Sequence, residues 1–337
     1  MAHNFLENKK NSTQPFSKII FGAWGIKKDA DFYNVSEKDS LKALARAVDL
    51  GFTSIDTAPG YGFGYSERVV AKVVESISRD SIQIITECGI VWGGEKRGVY
   101  TSSAKLDNGK TISSYLYANK NSIIKECENS LKRLKTDYID LYTLIERDST
   151  TPIEETAEAF QLLKQSGKIR FGGIGNFAID DYKKACDYFD FQFVKARYNM
   201  LNRRIDEQLV PFCKKTNKKI LAYDCHQRGI LTGRSYPEFY FRVGESDFFT
   251  RYYKPDNKEK IRKFLNNLTY LAIEKGITLA NLTIAWVLAQ DAVSSVLLAA
   301  SHIDQIVDDG RAAEVILSME DVAYINSNID FLMETID

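Results

Sequence analysis

Two charged residues stand inside runs that otherwise call for a dry core: Glu87 in IITECGI (84–90) and Lys195 in FQFVKARY (191–198). An isolated carboxylate or ammonium is costly to bury, so each needs a partner of opposite charge or a reaction to serve. Asp56, Tyr61, Arg147, Asn176, Arg197, Tyr223, Asp224, His226 and Arg228 lie at or just beyond the ends of other apolar runs. Acids, a phenol and cations gathered at one place shift one another's pKa and can move protons to and from a substrate. The pattern favours a functional cluster over simple ion pairing.

Those positions have chemical meaning only if the chain brings them together. Eight short apolar or β-branched runs recur along the sequence: 18–24, 52–58, 82–88, 138–145, 169–175, 191–198, 218–224 and 293–300. Amphipathic segments separate them. Leu41, Leu44 and Val48 share one helical face, as do Val69, Val73 and Ile77, and Ser36 with Asp39 is spaced as a capping box. The segment 152–167 opens on Pro152 and ends on Gly167, and 257–276 ends on Gly276. Regular alternation with short connections predicts one (β/α)8 TIM barrel, a single domain over residues 1–337, with residues 1–17 expected as a flexible N-terminal segment. Active sites of such barrels form at the C-terminal strand ends. The expected ends carry Trp24, Asp56 near Tyr61, Glu87, Ile145 followed by Glu146 and Arg147, Asn176, Lys195 with Arg197, Tyr223 with Asp224 and His226, and Ser301.

Bulk composition narrows the partners. A chain of 337 residues with formal net charge zero and a pI near 6.8 has no electrostatic footprint for nucleic acid. Five cysteines without a C-x-x-C pair suggest neither a disulfide framework nor a zinc site, and point to a reducing cytoplasm. No run approaches the roughly 20 apolar residues of a membrane span, and no His/Asp spacing at the strand ends suggests a metal-dependent hydrolase. The expectation is a cytoplasmic protein acting on a small molecule, with no metal, nucleic-acid or membrane partner and with its oligomeric state open.

The stretch GFTSIDTAPGYGFGYSERVV (51–70) resembles the aldo/keto reductases, whose second strand ends in Asp-Thr-Ala and is followed by Tyr-Gly and Ser-Glu. DYIDLYTLIERDSTTPIEET, IRFGGIGNF, KARYNMLNR, LAYDCHQRGILTG and AWVLAQDAVSSVLLAAS follow in the family's order, so the resemblance covers nearly the whole chain. It implies a catalytic set of Asp, Tyr, Lys and His. Asp56 and Tyr61 match the first two; Glu87 stands where the lysine belongs and Ile145 where the histidine belongs. Lys195 replaces a glutamine that holds the nicotinamide carboxamide. A charge swap is therefore expected, with the lysine moved from the third strand to the sixth and a Glu87–Lys195 pair beneath Tyr61.

The resemblance also implies a nicotinamide site at Gly22, Trp24, Asn176 and Tyr223. Asp224, Cys225 and His226 replace the family's Ser-Pro-Leu at the phosphate loop, where a carboxylate repels pyrophosphate unless His226 or Arg228 offsets it. In the last loop Gln305 occupies the place of the arginine that grips a 2′-phosphate, and Asp308 and Asp309 follow, so NAD is favoured over NADP. Ser301 is retained as a candidate phosphate contact. Arg147, Arg197, His226 and Arg228 are candidate substrate residues. The aromatic stretch 236–257, with Arg242 and Arg251, suits sugar rings or anions, or else clamps a loop onto the barrel; the glycine-rich 90–110 is long enough for a lid. Three functions compete: NAD(P)-linked oxidation or reduction of a polar, sugar-like substrate; redox-neutral acid/base chemistry such as dehydration or epimerisation, with Glu87 as base; and a non-catalytic binding role.

Overall fold

Strands buried on both faces need helices outside and side chains within, and the apolar runs meet both needs. In the computed structural model, which describes residues 15–26, 36–94, 97–105, 109–233, 251–299 and 303–336, the strands are β1 Ile19–Gly22, β2 Ser54–Asp56, β3 Gln83–Cys88, β4 Ile90–Trp92, β5 Val99–Lys105, β6 Thr111–Leu116, β7 Ile139–Leu144, β8 Ile169–Gly175, β9 Phe191–Arg197, β10 Lys219–Tyr223 and β11 Val293–Ala299. Eight of them close a parallel barrel in the order β1, β11, β10, β9, β8, β7, β3, β2. The fold is a (β/α)8 barrel. Helices such as Glu37–Asp49, capped by Ser36 as its spacing requires, cover the outside. No single helix among the described residues is long and apolar enough to cross a membrane.

Inside the barrel lies one apolar layer, built from Ile20, Ile85, Leu141, Phe193, Leu221 and Leu297 with Phe171 against it. The two-residue period of a strand places the next inward residue one layer higher. Ile85 is thus followed by Glu87, Phe193 by Lys195 and Leu221 by Tyr223. Strand parity alone lifts the polar groups above the apolar floor.

Phe16 closes the floor from below. Its ring meets Phe193 edge-on at 5.0 Å and Phe171 at 6.2 Å, and the Ser17 amide donates to Ser54 Oγ at 2.9 Å. The expected flexible segment 1–17 therefore ends in two anchored residues, because an aromatic plug is worth more packed than solvated; residues 1–14 lie outside the described ones. Truncating Phe16 to alanine should cost about 3 to 5 kcal/mol of stability. Urea unfolding of the two proteins checks this, and a loss under 1 kcal/mol would show that the plug contributes little. Nearby, Asp140 accepts from Arg79 at 2.7 Å, Arg170 at 2.9 Å and the Ile84 amide at 2.8 Å. This buried acid ties β3 and β7 together at the end opposite the mouth.

The described residues of the glycine-rich 90–110 form strands where the sequence suggested a lid-like loop. β4, β6 and β5 form a three-stranded antiparallel sheet between β3 and the helix Lys120–Leu134. Alternating β-branched and aromatic residues in TISSYL and VYTSSAK supply the strand signal that the surrounding glycines and serines obscured. Trp92 of this sheet lies edge-on to Phe63 at 5.7 Å, which joins it to the loop that carries Tyr61.

Candidate active site

The helix Tyr65–Val74 aims the third strand. Its buried Glu67 accepts from Thr86 Oγ1 at 2.9 Å and pairs with Arg133, so Thr86 is held on the outer face and Glu87, one residue on, faces inward. Ser66 hydrogen-bonds Thr57 at 2.9 Å and the Ala23 carbonyl at 3.2 Å, binding the ends of β1 and β2 to the same helix. Gly64, at φ +82°, is required twice over: its conformation disfavours side chains, and a Cβ there would stand 2.6 Å from Arg133 Cδ. The Tyr61 loop is thereby pinned at both ends.

Lys195 starts beside Gly175 on β9, and β9 lies diametrically opposite β2 in the ring. Its stem crosses the interior above the apolar layer, and Nζ donates to Asp56 Oδ1 at 2.7 Å and to Glu87 Oε1 at 2.6 Å. The three side chains are 3%, 4% and 10% exposed. Two acids against one ammonium leave one surplus negative charge or one retained proton. Burial pushes the Asp56 carboxyl up to about 7; Lys195 opposes the rise and the Glu87 charge adds to it. Burial also works against the Lys195 charge, but Asp56 and Glu87 outweigh it and hold the ammonium above its ordinary range. Tyr61 goes well above the usual phenol pKa through burial, then through Glu87, Asp56 and Tyr223. A phenol so placed holds its proton at neutral pH.

Tyr223 and Asn176 sit at the mouth, the phenol donating to Asn176 Oδ1 at 2.6 Å. Arg197 reaches Asp224 at 3.2 Å and lies 5.6 Å from the Tyr223 ring centroid. Asp224 also accepts from the Arg228 amide at 2.7 Å, and Asn199 donates to the Asp224 carbonyl and to Gln227 Oε1, each at 2.8 Å. The carboxylate thus organises this loop from within, and Arg197 and then Arg228, not His226, offset its charge. His226 is turned to the Ala280 carbonyl at 3.3 Å. Arg147, a candidate for substrate, donates to the carbonyls of Asp148 and Thr151 and fixes its own loop. Gly22 lets β1 approach β11, since a Cβ would stand 3.3 Å from the Leu298 carbonyl; Trp24 just beyond it is 41% exposed. Gln305 lies half-buried on the helix Ile303–Arg311. Ser301 and residues 236–250 of the aromatic segment, Arg242 among them, fall outside the described residues. The described end of that segment is a clamp: buried Tyr252 donates to the Leu201 carbonyl and accepts from Arg251.

A cavity of about 520 Å³ opens at the mouth, with Glu146, Asn176, Lys195, Arg197, Arg204 and Tyr223 in its wall. Glu146 and Arg204 were not among the candidates. The signal for Glu146 was its place just past β7; Arg147, its neighbour, drew attention as the free-standing cation. The mouth fits a nicotinamide: an aromatic face at Tyr223, an amide at Asn176, and a loop after β10 whose Asp224 is already paired with Arg197. Farther out, Asp308 accepts from Thr278 Oγ1 at 3.2 Å and its carbonyl accepts from Asn281 at 2.9 Å.

Comparison with known proteins bears on the same residues. A family profile described as "Aldo/keto reductase family" matches residues 18–330. Aldo-keto reductase YhdN of Bacillus subtilis is 32% identical, covering 93% of this chain and 90% of the relative. The NADH-specific methylglyoxal reductase of Escherichia coli is 29% identical, covering 94% and 95%. The structure of the glycerol dehydrogenase from Gluconobacter oxydans is similar at a TM-score of 0.80 and 26% identity, covering 96% of this chain and 93% of that one. By sequence along nearly its whole length, and by its barrel, the chain belongs to the aldo/keto reductase family.

Proposed function

We propose that the chain is an NAD(P)-linked oxidoreductase of a small polar or sugar-like hydroxyl or carbonyl, working with a rebuilt acid/base set. The observation that carries this reading is the Asp56–Lys195–Glu87 cluster, which lies buried within electrostatic reach of Tyr61. When bound, the nicotinamide supplies the hydride in reduction and accepts it in oxidation. Tyr223 and Asn176 hold the nicotinamide ring, and Tyr61 gives the substrate oxygen its proton as the carbonyl carbon is reduced. Asp56, protonated up to about pH 7, returns a proton to Tyr61, while Lys195 keeps the resulting carboxylate tolerable in the interior. Lys195 stays charged throughout.

The names of the relatives, reductases and a dehydrogenase, favour hydride transfer over the redox-neutral alternative. Gln305 in place of a 2′-phosphate-binding arginine, with Asp308 and Asp309 beside it, supports NAD over NADP. The relatives' small substrates, methylglyoxal and glycerol, suit a cavity lined by charged and amide groups. Five free cysteines suit a reducing, cytoplasmic setting.

The test is titration with NADH and NADPH followed by nicotinamide fluorescence. NADH should bind at least about tenfold more tightly than NADPH, and Tyr223→Ala should weaken NADH about tenfold by removing the aromatic face. Absence of binding at millimolar cofactor would remove hydride transfer from consideration; tighter NADPH binding would overturn the cofactor preference alone.

A further inference from the structure

The acid/base set described so far acts from beneath the substrate, and one carboxyl of the mouth takes no part in it. Glu146 directly follows Ile145 at the end of β7, half-buried, in the wall of the cavity shared with Asn176, Lys195 and Tyr223. Among the described residues no hydrogen-bond donor or cation is bound to its carboxyl. The other charged groups of the cavity wall are Lys195 and Arg197 from β9 and Arg204 from the segment after β9, with the Tyr223 phenol from β10; Glu87 on β3 is not in the wall but acts on Glu146 electrostatically. Lys195 and Arg197 already hold acids of their own, Asp56 with Glu87 and Asp224 respectively. A carboxyl left without a protein partner in a cavity of mixed lining is available to a ligand.

We propose, on the footing of the oxidoreductase reading above, that Glu146 contacts the reacting oxygen of the substrate: as the carboxylic acid it donates a hydrogen bond to a carbonyl oxygen. Tyr61 still supplies the proton that ends on that oxygen, and Glu146 keeps its own. Its environment suits the task, because burial and then the Glu87 charge raise its pKa above the ordinary carboxylate value. The acid form therefore persists to higher pH than in an exposed glutamate, and polarisation of the carbonyl is lost as the pH rises through that raised value. In the opposite direction the ionised group accepts from an alcohol hydroxyl. One mouth residue thus favours reduction on the acid side and oxidation on the alkaline side.

Steady-state kinetics of Glu146→Ala and Glu146→Gln with a small hydroxyaldehyde, glyceraldehyde, tests this. Loss of one oxyanion donor should lower kcat about 10²-fold in Glu146→Ala with KM changed less than about threefold. Glutamine remains a neutral donor at every pH, so Glu146→Gln should keep kcat within about tenfold and lose the part of the parent's alkaline fall that Glu146 contributes, leaving the part set by Asp56 at about 7. Glu146→Ala within about threefold of the parent, or a Glu146→Gln whose alkaline limb is unchanged, overturns the proposal. If the parent binds no nicotinamide or reduces no aldehyde, the oxidoreductase reading itself has failed. Glycerol binding to the protein without cofactor, followed by saturation-transfer NMR, then tests Glu146 by itself. Binding weakened about tenfold or more by Glu146→Ala keeps it as the oxygen-contacting group, and equal or absent binding in both proteins removes it.

Discussion

Lys195→Met should lose about 3 to 5 kcal/mol of stability at pH 8, because it strands two buried carboxylates, Asp56 and Glu87, without a cation. The loss should shrink toward pH 5, where the Asp56 carboxyl takes up a proton. The parent protein has a gentler slope of the same sign. Asp56 titrates at about 7 when folded against 3.8 for the ordinary group, so the folded state binds the extra proton between those values. Its stability is highest below pH 4 and falls as the pH rises through the window, by on the order of 4 kcal/mol if Asp56 acted alone. The raised pKa of Lys195 acts in another range: its contribution is complete below the unfolded ammonium pKa and fades only above it. Urea unfolding from pH 4 to 9 measures both slopes. Asp56→Asn should reduce the parent's slope, part of which remains because burial also raises the Glu126 carboxyl to about 8, and adding Asp56→Asn with Glu87→Gln to Lys195→Met should recover most of the loss. A Lys195→Met protein within 1 kcal/mol of the parent at pH 8 would mean that the cluster is solvated in solution.

Moving the charges back should convert the site. Glu87→Lys with Ile145→His alone would set two lysines against Asp56, since Lys195 already occupies the interior. The coherent variant is Glu87→Lys, Lys195→Gln and Ile145→His together. An ammonium on β3 near Tyr61 would lower the phenol pKa in place of the present rise, and the histidine would present a neutral donor from the end of β7. The Ile145 side chain lies against Gly175, where a Cβ would come within 3.0 Å of its Cδ1, so a ring of similar length has a surface to rest on. Reduction of small aldehydes should rise in kcat/KM by about 10² to 10⁴, the usual contribution of a positioned acid/base group. The measurement is NADH oxidation over an aldehyde panel, with cofactor binding checked by fluorescence. Unchanged rates in a variant that still binds NADH would show that chemistry in this barrel no longer depends on the Tyr61 proton.

The barrel was legible because its strands are short apolar runs separated by well-punctuated helices. β8 matches its expected span, 169–175, and every other barrel-strand end lies within two residues of its expected place. Glu87 and Lys195 were legible as a pair for a simpler reason: each lies two residues past an inward apolar residue, so both rise to the same layer. That Lys195 would also take Asp56 was not, because contact across the barrel's diameter depends on stem length and on which strands stand opposite, which no local pattern reports. Arg147 misled through its charge; only the turn after β7 shows that its guanidinium is occupied by backbone carbonyls. Glu146 was overlooked beside it, since an acid without a partner becomes notable only when its surroundings are known.

The lysine that spans the barrel also bears on ancestry. If the ancestor held the family's lysine at position 87 and glutamine at 195, two substitutions separate it from the present chain, and their order matters. Losing the lysine first leaves Asp56 and Glu87 facing each other with no cation. Gaining Lys195 first leaves one acid between two ammonium groups, a single surplus charge on long stems that can lean toward solvent. The second route passes through the milder intermediate, so Lys195 would have arrived before Glu87. In that order the interior kept a cation at every step, and relatives carrying lysine at both positions are the lineage in which the handover should still be visible.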